Sequence, residues 1–251
     1  MRFQQLYDAK NKFITMIKEP DSKKRAKLAS LGDSITYGFT PRNSPGYPGQ
    51  LESYACVAAR LLDMDFYNAG INDSTLAAGQ GSFQPMCERF SSLPPDADIV
   101  TVMGGTNDIR QGIPLGTLND RSTDTYCGAL HRICEGLYRK YFIENGICTG
   151  KDKRIVLLTP LKLMDAATGE LTYGLEAFAE AVREIGAYYS FPVLDFYRNS
   201  YINPHICKTV QGWQDGYNAL YNPYISDGTH PTQEGAIIMG RLLANFIRTL
   251  L

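Results

Sequence analysis

The stretch Lys27-Leu28-Ala29-Ser30-Leu31-Gly32-Asp33-Ser34-Ile35-Thr36 decides how the chain is read. Its first five residues are a short apolar run of the kind that forms a buried strand, and Gly-Asp-Ser then breaks the run sharply. A serine on the bend after such a strand has its hydroxyl held at the carboxyl edge of the sheet, where the crevice of an open α/β sheet binds ligands. Ser34 is therefore a candidate nucleophile. Gly, Asp and Ser are also ordinary turn residues, so the reading depends on a base and anion-stabilising donors elsewhere in the chain.

Working outward, similar runs recur at Asp65–Ala69, Asp98–Met103, Arg154–Thr159 and Pro192–Asp195. Continuous apolar runs of this length predict strands buried on both faces. Between them lies helical periodicity. It is clearest over Thr123–Glu144, where Tyr126, Leu130, Ile133, Leu137, Tyr141 and Phe142 form one stripe and Asn145-Gly146 supplies a stop. Further helices are predicted over Leu175–Tyr189 and over Thr232–Leu250, after Pro231. Five parallel strands with crossover helices give a three-layer α/β/α domain. Phe3, Leu6, Tyr7, Ile14 and Ile17 predict an N-terminal helix ending before Pro20. Residues 1–26 thus read as a helical extension packed on a single domain spanning 27–251. The cluster Lys23-Lys24-Arg25 reads as a solvated loop leading into the first strand. Two connections exceed the usual α/β loop length, Gln111–Ser122 and the tyrosine-rich Tyr197–Ser226.

Composition narrows the function. Among 251 residues, 25 Lys+Arg stand against 26 Asp+Glu, so charge suggests neither nucleic acid nor an anionic membrane as a partner. No apolar stretch approaches the roughly 20 residues of a spanning helix. Nor does the N-terminus carry the apolar core of a secretory signal, so a cytoplasmic protein is expected as the chain is written; one from which a signal had been removed would read the same. The six cysteines, Cys56, Cys87, Cys127, Cys134, Cys148 and Cys207, form no Cys-x-x-Cys pair, and reduced, mostly buried thiols are expected. Cys127 and Cys134 share a helix face but stand about 10 Å apart along its axis, too far for a disulfide. Neither a metal site nor a cofactor is expected.

Only three histidines could serve as a base. His131 lies in the helical stripe and reads as a surface or half-buried helix residue. His205 follows Asn203-Pro204 and reads as a turn residue. His230 sits in Asp227-Gly228-Thr229-His230-Pro231, immediately before the last helix, where one tight turn can present carboxylate and imidazole together. The third strand ends in Gly104-Gly105-Thr106-Asn107-Asp108, which can aim the Asn107 amide at a developing negative charge. The second strand ends in Asn68-Ala69-Gly70-Ile71-Asn72-Asp73, which offers the Gly70 N–H at the same edge.

These four blocks, in this order, resemble the SGNH, or GDSL-like, hydrolases, and the resemblance runs from Leu28 to about Leu243. It implies a flavodoxin-like fold and a serine esterase. By that resemblance Ser34 would be the nucleophile, His230 the general base and then acid, and Asp227 the carboxylate that fixes the imidazole. The oxyanion would be held by the N–H groups of Ser34 and Gly70 and by the Asn107 side chain. Asp33 and Asp108 would brace loops. Ile35 replaces the leucine of the GDSL pattern, a swap that conserves volume.

The segments Gln111–Ser122 and Tyr197–Ser226 match no block, so the substrate does not follow from the resemblance. Tyr197, Tyr201, Trp213, Tyr217, Tyr221 and Tyr224 could stack on sugar rings, or could pack on the domain itself. The absence of a long apolar lid favours small acyl esters, with O-acetyl groups on carbohydrate as the leading candidate. A lipase, lysophospholipase or thioesterase is the neighbouring reading, and a non-catalytic binding module on the same fold is the more distant one. A flavin or nucleotide binder is disfavoured, because no Gly-x-Gly-x-x-Gly or P-loop run follows the first strand.

Overall fold

The computed structural model describes residues 25–40, 50–144, 147–148, 150, 152–164, 171, 174–203, 224–225 and 227–251. The N-terminal helix expected before Pro20, the Asn145-Gly146 stop, His205, Cys207 and the aromatics Trp213, Tyr217 and Tyr221 lie outside them.

Five strands make the sheet: β1 Lys27–Gly32, β2 Asp65–Gly70, β3 Ile99–Met103, β4 Arg154–Leu158 and β5 Val193–Leu194. Their order is β2-β1-β3-β4-β5 and every pairing is parallel. This is the flavodoxin-like order, whose switch point lies between β1 and β3. The central strands β1, β3 and β4 are mostly apolar because their side chains alternate between two covered faces. Ala29, Leu31, Val100, Val102, Ile155 and Leu157 join one core cluster, while Leu28, Ile99, Met103, Val156 and Leu158 join the other. Where polar residues enter the central strands they pair with each other. Ser30 and Thr101 stand in register, and the Thr101 hydroxyl donates to Ser30 Oγ at 2.7 Å.

The helices are α1 Ser34–Tyr37, α2 Tyr54–Leu61, α3 Met86–Arg89, α4 Thr106–Arg110, α5 Tyr126–Phe142, α6 Leu175–Tyr189, α7 Phe196–Asn199 and α8 Gln233–Arg248. The apolar stripes of α5 and α6 close the first face of the sheet, and those of α2 and α8 close the second. The three-layer arrangement follows directly. α5 and α8 start at hydroxyl caps: Thr125 Oγ1 accepts from the Gly128 N–H and Thr232 Oγ1 from the Gly235 N–H.

Three local expectations change. β2 is an edge strand, paired only with β1, and Tyr67 is exposed, so its residues are not buried on both faces. The helix expected to run to Glu144 ends at Phe142, because Ile143–Glu144 pairs antiparallel with Ile147–Cys148. His131 is fully buried rather than at the surface or half-buried: Tyr189 Oη lies 2.9 Å from its Nδ1, and its Nε2 donates to the Leu118 carbonyl at 2.9 Å. That is a satisfied core histidine. Cys87, Cys127 and Cys134 are buried free thiols, and Cys56 is half-buried.

Candidate active site

The bend after β1 is held by three local devices. Asp33 caps α1, its Oδ1 accepting the Ile35 N–H at 2.9 Å. Gly38, at φ 91°, ends the single turn by donating its N–H to the Ser34 carbonyl at 3.0 Å. Gly32 must be glycine, since a Cβ there would stand 2.0 Å from Thr36 Oγ1. The outcome is a four-residue helix whose first residue, Ser34, is nearly buried with its hydroxyl at the carboxyl edge of β1.

His230 meets it from the far end of the sequence. Its Nε2 lies 2.9 Å from Ser34 Oγ, and its Nδ1 lies 2.7 Å from Asp227 Oδ2. The other oxygen of Asp227 accepts the N–H groups of Thr229 at 3.0 Å and His230 at 2.7 Å. One carboxylate thereby shapes the turn and orients the ring. Because an ionised carboxylate only accepts, the Nδ1 proton faces Asp227, leaving Nε2 free to accept from Ser34. The Phe39 ring packs edge-on against the imidazole at 4.8 Å between centroids. Arg110 of α4 also donates to Thr229 Oγ1, and Met164 N–H to the Gly228 carbonyl, so the segment is anchored from two sides.

Past β3, Asn107 and Asp108 tie α4 to the loop that follows β2. Asn107 Nδ2 donates to the Ser74 carbonyl at 3.0 Å, which uses one of its two amide hydrogens. Asp108 accepts the N–H groups of Leu76 and Ala77, each at 2.9 Å. Gly70 is placed differently from Ser34 and Asn107. Its N–H donates to Asn68 Oδ1 at 2.9 Å, and a Cβ would stand 2.2 Å from Tyr37 N. The glycine permits β2 to close on α1; to serve an oxyanion, its N–H must leave Asn68. Asp73, three residues on, sits in the left-handed region at φ 60°, which aspartate tolerates better than most residues.

Burial opposes the charge on Asp227, yet the bond to His230, its charge and the two backbone donors outweigh it and hold the carboxyl below its ordinary value. Asp33 and Asp108 go the other way. Burial raises each to about 6, against the backbone N–H groups they accept. A raised folded-state value means the protonated form fits the folded protein best. Their stabilising contribution is therefore present below the unfolded value near 4 and is lost as pH rises through about 6. Asp33→Asn, which keeps an oxygen for Ile35, should gain up to about 3 kcal/mol relative to wild type on moving from pH 4 to pH 8. Urea unfolding at both pH values checks this, and an unchanged difference contradicts it.

Among the described residues no group of His, Cys, Asp and Glu could hold a metal ion, and no helix is long and apolar enough to cross a membrane. Of the tyrosine-rich stretch, Tyr197 is buried with the Lys162 ammonium 3.7 Å from its ring centre, whereas Tyr201 is exposed.

A parallel sheet ordered β2-β1-β3-β4-β5, with Ser, Gly, Asn and His blocks following its strands or preceding its last helix, defines the SGNH class of α/β proteins. The chain belongs to the GDSL-like lipase/acylhydrolase family, whose model matches residues 30–237. Members of that family are hydrolases acting on esters. No curated protein matches the sequence. Solved structures share the fold. A protein from Lactobacillus plantarum is 23% identical with a TM-score of 0.68, covering 91% of this chain and 99% of its own. A lipase/acylhydrolase from Enterococcus faecalis is 18% identical with a TM-score of 0.57, covering 90% and 97%. An acetylxylan esterase from Geobacillus stearothermophilus is 17% identical with a TM-score of 0.57, covering 89% and 94%.

Proposed function

We propose that the protein is a serine esterase that removes small acyl groups, with O-acetyl groups on carbohydrate as its substrate class. The observation that carries the mechanism is the unbroken hydrogen-bonded series from Ser34 Oγ through His230 to Asp227, at 2.9 and 2.7 Å. Ser34 Oγ attacks the ester carbonyl as its proton passes to His230 Nε2. Charge gathers on the carbonyl oxygen, where the Ser34 N–H, the second Asn107 amide hydrogen and the Gly70 N–H, once released from Asn68, stabilise it. Collapse of the intermediate expels the alcohol, which takes the proton from His230, and leaves acyl-Ser34. Water then surrenders a proton to His230 and attacks the acyl carbon, and the intermediate breaks its bond to Ser34, whose Oγ takes the proton back from His230 as the acid is released. Asp227 holds the ring and stabilises the imidazolium through both steps.

Asn107→Ala should lower kcat about 10²–10³-fold with KM little changed, because the amide acts on charge that exists only in the transition state. Steady-state kinetics on an acetyl ester checks this; a loss confined to KM contradicts it. The preference for short acyl groups is supported by the lack of a long apolar lid segment in the sequence and by one structural neighbour being an acetylxylan esterase. Profiling chromogenic esters of increasing chain length beside acetylated sugars tests it. The expected result is kcat/KM falling as the acyl chain lengthens. Faster turnover of long-chain esters, lysophospholipids or thioesters would transfer the substrate to the neighbouring reading and leave the mechanism intact.

A further inference from the structure

Arg89, the last residue of α3, makes four hydrogen bonds with one guanidinium. Nη1 donates to the Ala69 carbonyl at 2.6 Å, Nη2 to the Gly32 carbonyl at 2.7 Å and to Ser74 Oγ at 2.9 Å, and Nε to the Gln84 carbonyl at 3.0 Å. Each of the first three acceptors stands next to a piece of the site. Gly32 closes β1 two residues before Ser34, and Ala69 precedes Gly70 in β2. Ser74 is the residue whose carbonyl positions the Asn107 amide. Gly32 and Gly70 are register partners across the sheet, so the fork bridges the ends of two adjacent strands.

On the reading of the site as an esterase, we propose that Arg89 is a positioning residue for the oxyanion donors, fixing the Ser34 turn, the Gly70 strand end and the Ser74–Asn107 contact relative to one another. Arginine suits the task because a planar fork with five N–H groups reaches carbonyls of two strands and a hydroxyl at once, which a lysine ammonium on a flexible stem does not. Its charge also matters. Among the described residues Arg89 forms no ion pair, although Asp33 is close enough to act on it, and burial lowers it to about 10, so it remains a cation at neutral pH. A partly buried cation without a paired carboxylate is costly to desolvate. Held behind the strand ends, it favours negative charge developing at the site they carry.

The test compares Arg89→Lys and Arg89→Met with wild type on an acetyl ester, with kcat expressed per active site titrated to completion with a fluorophosphonate and folding monitored by circular dichroism. A brace that only stabilises the fold changes the number of active sites, not the turnover of each. Misplaced donors reduce turnover per site. The expected result is a loss of about 100-fold for Arg89→Met and about 10-fold for Arg89→Lys, with KM within about twofold. Turnover per site within about threefold of wild type in both variants overturns the proposal, even if their melting temperatures fall. Should Arg89→Met not fold, Arg89→Lys supplies the same comparison. A wild-type protein with neither labelling nor turnover refutes the esterase reading itself, whereas an active wild type with equally active variants refutes only the role of Arg89.

Discussion

Ser34→Ala is expected to lower kcat on an acetyl ester by about 10⁴–10⁶-fold while the protein remains folded. The size of the loss follows from what the hydroxyl does. In the proposed mechanism it is the atom that bonds to the acyl carbon, and no neighbouring group takes its place: His230 Nε2 is directed at it, and Asp227 is committed to the other side of the ring. Alanine leaves the oxyanion donors and the base in position, so the residual rate is that of a preorganised site acting on water. Little stability is at stake, because the substitution removes one side-chain hydrogen bond and keeps the Cβ that packs at the start of α1. Kinetics of wild type and variant purified identically measure the ratio. Retention of more than about one part in a hundred of wild-type turnover would exclude covalent catalysis by Ser34.

Asp227→Asn should cost about 10⁴-fold in kcat with KM nearly unchanged, the second largest effect expected. The carboxylate accepts three hydrogen bonds, from the Thr229 N–H, the His230 N–H and His230 Nδ1. An amide supplies one oxygen and one NH₂. With its oxygen retained by the two backbone donors, the NH₂ would face Nδ1 and force that nitrogen to become the acceptor. The ring proton would then move to Nε2 and point at Ser34 Oγ, where a base is needed. The variant would thus preserve shape while inverting the tautomer. Asp227→Ala provides the comparison, since it also frees the two N–H groups and should lower the melting temperature further. Wild-type kcat in Asp227→Asn would show that the carboxylate only shapes the turn.

The parts of this site that are legible in the sequence are those written in contiguous residues. Gly32-Asp33-Ser34 marks a strand end and a cap within three positions, and the Asp227–His230 pairing needs only the tight turn that Gly228 at φ 82° supports. The strand runs are legible because burial on both faces keeps β1, β3 and β4 mostly apolar, with Lys27 and Arg154 at strand starts and the Ser30–Thr101 pair inside. What was not legible depends on separation in the chain. Arg89 reaches Gly32 across 57 residues, and nothing near Arg89 signals that its side chain turns inward. His131 reads as a surface or half-buried residue until Tyr189, 58 residues later, supplies its partner. The exposure of β2 is a matter of sheet order, which residues 65–70 do not encode locally. Gly70 illustrates a subtler limit: the motif gives its place at the sheet edge, but the engagement of its N–H by Asn68 depends on a side-chain rotamer.

The central claim is that Ser34 is a nucleophile activated by His230 and Asp227. The most direct measurement is reaction of the purified full-length protein with a fluorophosphonate, followed by peptide mapping by mass spectrometry. One adduct per chain on Ser34, absent from Ser34→Ala and strongly slowed in Asp227→Asn, is the predicted result. No adduct, or an adduct on another residue that persists in Ser34→Ala, would contradict it.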